Sequence, residues 1–213
     1  MYLFLLLAYP ILGAGIKYID AAFDEKTFNK KIAYFVAPLL GILWAYTMMI
    51  SPISATILLA VLIGVVVKGK IDNYAHLAGL VVILPIIFLT GIELMILPLI
   101  FLASAALLDE VGNDIIDNNK KYLNNNKIWQ KFVVYFFDHR WLMKIAILGI
   151  AIIGIIPFYF FLAMLMFDYS YLMVRWYANA RKDIPSIGFH PTIFKFKNSI
   201  SQPVTDLKAI SKE

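Results

Sequence analysis

The sequence predicts an all-α integral membrane protein, built as a bundle of about seven transmembrane helices. Hydrophobic residues make up 62% of the 213 residues and charged residues 15%, whereas soluble proteins carry about 25% charged residues. The apolar residues are gathered into four long runs, and the Lys and Arg residues lie between these runs or near their borders. A chain with this pattern has too few polar groups to cover a water-facing surface. We therefore expect a multi-pass protein of the cell membrane.

The apolar runs predict one single span followed by three helical hairpins. They cover approximately residues 1–19, 32–67, 77–108 and 141–176. A helix crosses the hydrocarbon core with about 20 residues, so the first run is one span and each longer run holds two. Each long run has a turn signal near its middle, and these are Ser51-Pro52, Thr90-Gly91 and Gly154 through Pro157.

The positive charges predict the orientation of the bundle, because Lys and Arg concentrate on the cytoplasmic side. With the N-terminus outside, the inner segments are about 17–31, 68–76, 109–144 and 175–213, and all 19 Lys and Arg residues lie in them or at their borders. If the last run were a single kinked span, the basic tail would lie outside and break this rule. We therefore expect an outside N-terminus and a cytoplasmic C-terminus.

Two segments are expected to lie outside the spans. The bundle is predicted to cover residues 1–181, and a basic cytoplasmic tail to cover 182–213. Within the bundle, an amphipathic helix is predicted near 127–141, because apolar side chains recur at helical spacing at Trp129, Phe132, Val133, Phe136, Phe137 and Trp141. Such a helix suits the membrane interface, beneath the acidic loops of the inner side. Its apolar face can alternatively pack against the bundle.

Composition also narrows the chemistry and the partners. The chain has no cysteine, which excludes disulfides, thiolate metal sites and thiol catalysis. It has three histidines, too few to favour an all-histidine metal site. The formal charge of +5 is expected to face anionic membrane lipids. No aromatic and basic pattern of a nucleic-acid module is present, so we expect membrane lipids and no nucleic acid as partners.

Acidic residues recur at the predicted inner ends of the spans. Asp20 and Asp24 are four residues apart, so they share one face of a helix at the end of span 1. Asp72 and His76 have the same spacing before span 4. Both pairs also have a purely structural interpretation. The first pair can be a solvated helix end, and in the second Asp72 or its neighbour can be a helix cap.

The longest acidic segment, Asp109–Asp117, follows span 5 directly. Asp109 and Glu110 are expected to end the span, whereas Asn113, Asp114 and Asp117 are the candidate functional residues. Clustered carboxylates repel one another unless a cation neutralises them. Mg²⁺ binds through a few carboxylates together with substrate phosphates. The inner acidic groups therefore predict a site for Mg²⁺ and a lipid phosphate or diphosphate.

The last hairpin contributes Asp168, Tyr171 and Arg175, whose spacing places them on one helical stripe. An ionised Asp168 in hydrocarbon costs at least a few kcal/mol, so it is expected to face the bundle interior. Its partner is expected on another helix, because Arg175 is seven residues away. Arg175 and Arg140 are candidates for binding phosphate, which suits the planar guanidinium.

Two short motifs resemble those of a known family. Asn113-Asp114-Ile115-Ile116-Asp117 resembles the Asn-Asp-x-x-Asp core of UbiA-type intramembrane prenyltransferases. Asp20-Ala21-Ala22-Phe23-Asp24 resembles the Asp-x-x-x-Asp form of their other acidic motif. The resemblance implies an all-helical bundle in which Asp20, Asp24, Asp114 and Asp117 bind Mg²⁺ and the diphosphate of an isoprenyl donor.

These observations predict a Mg²⁺-dependent membrane enzyme acting on a polyprenyl or lipid phosphate or diphosphate at the cytoplasmic face, such as a prenyltransferase-like transferase. The predicted metal ligands are Asp20, Asp24, Asn113, Asp114 and Asp117. The predicted substrate-binding residues are Asp72, His76, Arg140, Asp168, Tyr171 and Arg175. One alternative is a cation- or proton-coupled transporter or channel with a polar path from Glu93 to Asp168. Another is a non-catalytic membrane scaffold whose acidic residues point into solvent.

Overall fold

The computed structural model describes residues 1–69, 73–119 and 128–182, apart from the side chains of Asp117 and Lys182. These residues form eight α-helices and no β-strand, so the predicted all-α class is confirmed for this part of the chain. The basic tail predicted for residues 182–213 lies almost entirely outside the described residues. The helices are α1 (Tyr2–Phe23), α2 (Lys30–Met49), α3 (Pro52–Val67), α4 (Tyr74–Thr90), α5 (Ile96–Asn119), α6 (Ile128–Asp138), α7 (Trp141–Ile152) and α8 (Tyr159–Lys182).

Three helices are long and apolar enough to cross a membrane, as expected of a membrane protein. They are α1, α2 and the Ile96–Ile116 part of α5. The helices α3, α4 and α7 are shorter but also apolar. Large apolar side chains lie on the outer surface of the bundle, such as Phe88 at 88% and Leu97 at 81% exposure. A water-soluble protein seldom exposes so much apolar surface.

The three predicted turns are confirmed. α2 ends at Met49, and the Ser51 side chain accepts a hydrogen bond from the backbone N–H of Ile53 at the start of α3. α4 ends at Thr90, and Gly91 follows in the left-handed conformation with φ 59°, which glycine adopts without strain. The third turn separates α7 from α8 at residues 153–158. Local turn chemistry therefore divides each long apolar run into two helices.

Six helices pack in a closed ring, because each contacts the next. α1 packs on α2, α2 on α3, α3 on α5, α5 on α7, α7 on α8, and α8 on α1. α4 is not part of this ring and packs mainly on α2. The main core contains Leu5, Tyr9 and Leu12 of α1, together with apolar residues of α2 to α5, α7 and α8. α1 therefore packs between α2 and α8 and contributes several fully buried side chains to the core.

The closest helix contact is between α1 and α8. A Cβ atom at Gly13 would lie 2.0 Å from the backbone oxygen of Phe167, so only glycine allows this approach. Nearby, the Ser170 hydroxyl donates a hydrogen bond to the carbonyl oxygen of Pro10 over 2.7 Å. This contact fixes α8 beside α1 and brings their C-terminal halves, which carry the functional side chains, to one end of the bundle.

The acidic segment after span 5 is helical, which corrects the expected acidic loop. α5 continues to Asn119, and both Asp109 and Glu110 are buried instead of ending the span in water. The two oxygens of Asp109 accept hydrogen bonds from the backbone N–H groups of Leu142 (3.0 Å) and Met143 (2.7 Å). Asp109 thereby caps the N-terminus of α7 from a neighbouring helix, which explains why α5 can bury it.

The predicted amphipathic helix is confirmed as α6, with no buried residue along its length. Ile128 and Trp129 are 79% and 75% exposed, and α6 contacts the bundle through α5 and α7. One such contact lies at Gly112 of α5, where an added Cβ would meet the ring of Phe137. The position of α6 at the membrane interface stays a prediction.

Candidate functional site

A cavity of about 530 Å³ lies at the end of the bundle that contains the C-terminal halves of α1 and α8. Its volume is within the range of about 300–1,000 Å³ that is usual for small-ligand sites. One part of its wall is apolar and contains Leu40, Trp44, Val61, Ile83 and Phe167. The other part is charged and contains Lys17, Asp20, Asp24, Glu25, His76, Asp138, Arg140, Asp168 and Arg175, with Asn113 and Tyr171 beside them.

An acid–base pair lies in the charged part of the cavity. His76 Nε2 of α4 is 2.6 Å from Asp20 Oδ1 of α1. The Tyr171 hydroxyl of α8 donates to the other carboxylate oxygen of Asp20 over 3.4 Å. A carboxylate in this position orients the imidazole. The backbone of His76 is itself fixed by Asn73, whose side chain caps α4 as predicted for this position.

Arg140 lies opposite this pair, in the connection between α6 and α7. Its Nη2 atom is 2.9 Å from Glu110 Oε1, and its guanidinium lies 5.1 Å from the centre of the Tyr171 ring. Burial opposes the charge, but Tyr171, Glu110, Asp168 and Asp20 raise the pKa of Arg140 above its ordinary value. Arg140 is therefore a permanent cation in the cavity wall.

Arg175 provides a second cation on α8. Its Nη2 atom donates to Asp138 Oδ1 over 2.9 Å, so it ties α8 to the end of α6. The Arg140 and Arg175 side chains are 30% and 35% exposed. Both guanidinium groups line the cavity, and guanidinium groups bind phosphate and carboxylate anions well. Both arginines are therefore candidates for contact with a ligand anion.

Asp168 forms a buried ion pair with Lys144. The Lys144 ammonium of α7 donates to Asp168 Oδ2 of α8, and both side chains are buried. This confirms the expectation that another helix supplies the partner of Asp168. Each of these two buried charges therefore has a counter-ion.

The predicted metal ligands are only partly brought together. Asp20, Asp24 and Asn113 line the cavity, whereas Asp114 does not; its carboxylate lies 2.7 Å from the Lys68 ammonium. Asp72 and the side chain of Asp117 lie outside the described residues. Within residues 1–69, 73–119 and 128–182, no three His, Asp or Glu side chains converge as a metal ion would require. The magnesium site, with Asp20, Asp24, Asn113, Asp114 and Asp117 as its ligands, therefore stays a prediction.

Sequence reasoning missed several charged residues of the site. Lys17 Nζ lies 2.5 Å from Glu25 Oε1, and both residues line the cavity. The pair is eight residues apart across the end of α1, so no helical spacing rule predicts it. Lys144 gave a clearer signal, because a lysine within an apolar run is a functional or ion-pairing candidate. Glu110 was expected only to end a span, but its carboxylate forms an ion pair with the Arg140 guanidinium.

The other end of the bundle carries a smaller cavity of about 240 Å³. It is lined by Glu93 together with residues of the two adjacent turns, including Met48, Pro52 and Thr90. Glu93 is exposed there. The two cavities share none of the residues that line them. Glu93 and Asp168 therefore belong to separate cavities in the described part of the chain.

The described residues form an all-helical, apolar bundle whose larger cavity has a charged part and an apolar part. Comparison of the chain with family models, with curated proteins and with solved structures gives no match. The function is therefore argued from the residues of the cavity.

Proposed function

We propose that this protein is a membrane-embedded enzyme that acts on a lipid bearing a phosphate or diphosphate headgroup. The observation that carries the proposal is the division of the 530 Å³ cavity into a charged part and an apolar part. A lipid has the same division, since its headgroup is charged and its chain is apolar. Ligand sites are usually apolar with a few polar groups that fix orientation.

The headgroup is proposed to lie between Arg140, Arg175 and the Asp20–His76 pair. Arginine binds phosphate oxygens well because its planar N–H donors match their geometry. Both arginines are held by carboxylates, Arg140 by Glu110 and Arg175 by Asp138. These pairs position the guanidinium groups before a ligand arrives, which lowers the entropic cost of binding.

His76 is proposed to move a proton during the reaction. A transfer reaction at a phosphorylated headgroup needs a base for the attacking hydroxyl or an acid for the departing oxygen. The cavity supplies an imidazole beside a carboxylate at 2.6 Å, in the arrangement that orients a catalytic histidine. The Tyr171 hydroxyl of α8 donates a hydrogen bond to the same carboxylate, that of Asp20. A transferase is therefore the enzyme class we favour, with lipids as partners.

The orientation in the membrane is part of the proposal. We propose that α1 to α5, α7 and α8 are seven spans and that α6 lies at the cytoplasmic interface. Supporting this, Lys17, Lys30, Lys31, Lys68, Arg140, Arg175 and Arg181 all belong to the helix ends and connections on the cavity side of the bundle. Basic residues favour the cytoplasmic side, so the charged part of the cavity would open there.

Mass spectrometry of lipids that co-purify with the protein tests this proposal. We expect the wild type to retain a phosphorylated lipid. Arg140→Gln should retain about tenfold less, because a lost charge-assisted hydrogen bond costs about 1.5–3 kcal/mol. His76→Ala should still bind lipid, but the ratio of substrate to product should shift, because the proton transfer is lost.

Glu93→Gln is the matched control, since it neutralises an exposed carboxylate at the opposite end of the bundle. It should leave the lipid content and the lipid ratio as in the wild type. A wild type without any phosphorylated lipid would contradict the proposal, as would an identical lipid profile in all variants. Mg²⁺ binding in the wild type and in Asp114→Ala, measured on the same preparations, tests the magnesium prediction separately.

A further inference from the structure

The cavity is bounded by α3 and α4, two helices that pack only sparsely on each other. Val61, Leu62 and Val65 form the wall on α3, and residues of one face of α4, including Gly79 and Leu80, form the wall on that side. Among the described helices, α3 packs extensively on α5 and α2, whereas α4 packs on α2. Both helices therefore line the cavity, but neither is held mainly by contact with the other.

α4 is held in the bundle mainly by its contact with α2. α4 approaches α2 through small residues, and a Cβ atom at Gly41 would lie 2.7 Å from the carbonyl oxygen of Gly79. Close glycine contacts of this kind hold membrane helices together without large side chains. α2 and α3 meet at their turn at Ser51, and both line the cavity, α3 with the half that lies farther from this turn.

Residues that line the cavity at this gap are also partly exposed. Leu62, Val65 and Leu80 keep part of their surface accessible although they belong to the cavity wall. Val66 and Val81, which follow Val65 and Leu80 directly in the chain, are exposed, so this part of the cavity wall lies near the outer surface of the bundle. In a bundle with an apolar outer surface, the phase that meets this gap is the hydrocarbon of the membrane.

We propose that the cavity opens sideways between α3 and α4, and that the hydrocarbon chain of the lipid ligand lies in this opening. The inference rests on the proposed function, because it assigns the chain of the lipid whose headgroup occupies the charged part. The chain reaches Trp44, which lines the apolar part of the cavity and is 4% exposed. The ligand enters from the membrane plane, so its headgroup reaches Arg140 without the chain crossing water.

Fluorescence of Trp44 tests the opening. Replacing Trp129, Trp141 and Trp176 with Phe leaves Trp44 as the single reporter among the four tryptophans. The protein is placed in phosphatidylcholine vesicles with a minor fraction of phosphatidic acid whose chains are brominated, because bromine quenches tryptophan on contact. A second arm carries the bromine on phosphatidylcholine instead. We expect stronger quenching with brominated phosphatidic acid.

Two blocking variants and two controls make the test specific. Val65→Phe and Leu80→Phe enlarge side chains of the opening, and each should remove about half or more of the quenching, because the added ring fills the space for the chain. Val66→Phe and Val81→Phe change neighbouring residues that are exposed outside the cavity, and they should leave quenching unchanged. Equal quenching in blocking and control variants overturns the inference, as does a Trp44 that is not quenched at all.

The outcome is separable from that of the proposed function. If Trp44 is not quenched while phosphorylated lipid still co-purifies and depends on Arg140, the headgroup site stands and the opening is wrong. If Trp44 is quenched and sensitive to the blocking variants while no phosphorylated lipid co-purifies, the opening stands and the proposed enzyme is wrong.

Discussion

At the scale of single residues, three acidic side chains of the bundle have basic partners from distant parts of the chain. Asp168 pairs with Lys144, Asp20 with His76, and Glu110 with Arg140. A buried charge without a partner costs several kcal/mol. The residue types and their apolar surroundings predict that partners must exist. Their identity depends on which helices are neighbours.

The Lys144–Asp168 pair gives a prediction at this scale. Lys144→Met should lower the free energy of unfolding by about 3–5 kcal/mol, because it leaves Asp168 buried without a counter-ion. The double variant Lys144→Met, Asp168→Leu should recover most of this loss, since it removes both charges. Thermal unfolding in detergent measures the effect.

Lys68→Met serves as the control for the ion pair. Lys68 pairs with Asp114 over 2.7 Å, but the two side chains are 24% and 35% exposed. Partly solvated pairs contribute about 0–1 kcal/mol, so this variant should unfold almost as the wild type does. If Lys144→Met were as stable as Lys68→Met, the prediction would be contradicted, because Asp168 would not then be a buried charge without a counter-ion.

At the scale of elements, the contact between α1 and α8 determines whether the site assembles. It places Asp20 of α1 next to Tyr171 of α8. Gly13 permits this contact because any Cβ there would overlap the backbone of Phe167 at 2.0 Å. A second contact between elements is the cap that Asp109 of α5 makes on α7, which fixes the connection that contains Arg140.

Gly13→Ala should therefore destabilise the protein by about 1–3 kcal/mol or more, because overpacked helices must move apart. Chemical unfolding in detergent measures the loss, and lipid retention measures the damage to the site.

Gly149→Ala makes the same chemical change where the effect should reverse. Gly149 lies inside α7, and nothing lies within 4 Å of an added Cβ. Alanine favours a helix over glycine by about 1 kcal/mol, so this variant should be neutral or more stable. If both variants changed stability alike, helix propensity and not the α1–α8 contact would explain the Gly13 result.

At the scale of the whole molecule, the open question is how the bundle crosses the membrane. Three of the helices are long and apolar enough to span by themselves, and α3, α4 and α7 are apolar but shorter. A 16-residue helix such as α3 is about 24 Å long. It can still cross where the bilayer thins around it or where its flanking residues reach the interface.

The proposed seven-span orientation is tested by cysteine labelling, which the cysteine-free chain allows without a background. Glu93→Cys should react with a membrane-impermeant maleimide in intact cells, because the α4–α5 turn is proposed to lie outside. Lys30→Cys, at the start of α2, should react only after the membrane is permeabilised. The reverse labelling, or labelling of both positions in intact cells, would exclude the orientation.

The sequence by itself determined the class of the molecule and its local divisions. Apolar run length and charge content predicted a membrane-type helical protein, and Ser51-Pro52, Thr90-Gly91 and the segment 154–157 predicted where helices break. These signals are local, since a turn or a cap depends on a few adjacent residues. The spacing at Asp168 likewise predicted an interior charge that needs a partner on another helix.

Only the tertiary structure decided which residues meet. It placed Asp20 beside His76, paired Asp168 with Lys144, and kept Asp114 out of the cavity with Lys68. It also packed α4 on α2, which leaves the gap to α3 that the proposed lipid chain occupies. In an apolar bundle, nearly every helix face is able to pack, so hydrophobic pattern does not select neighbours. Small-residue contacts such as Gly13 and buried charge pairs select them, and both act between segments that are far apart in the sequence.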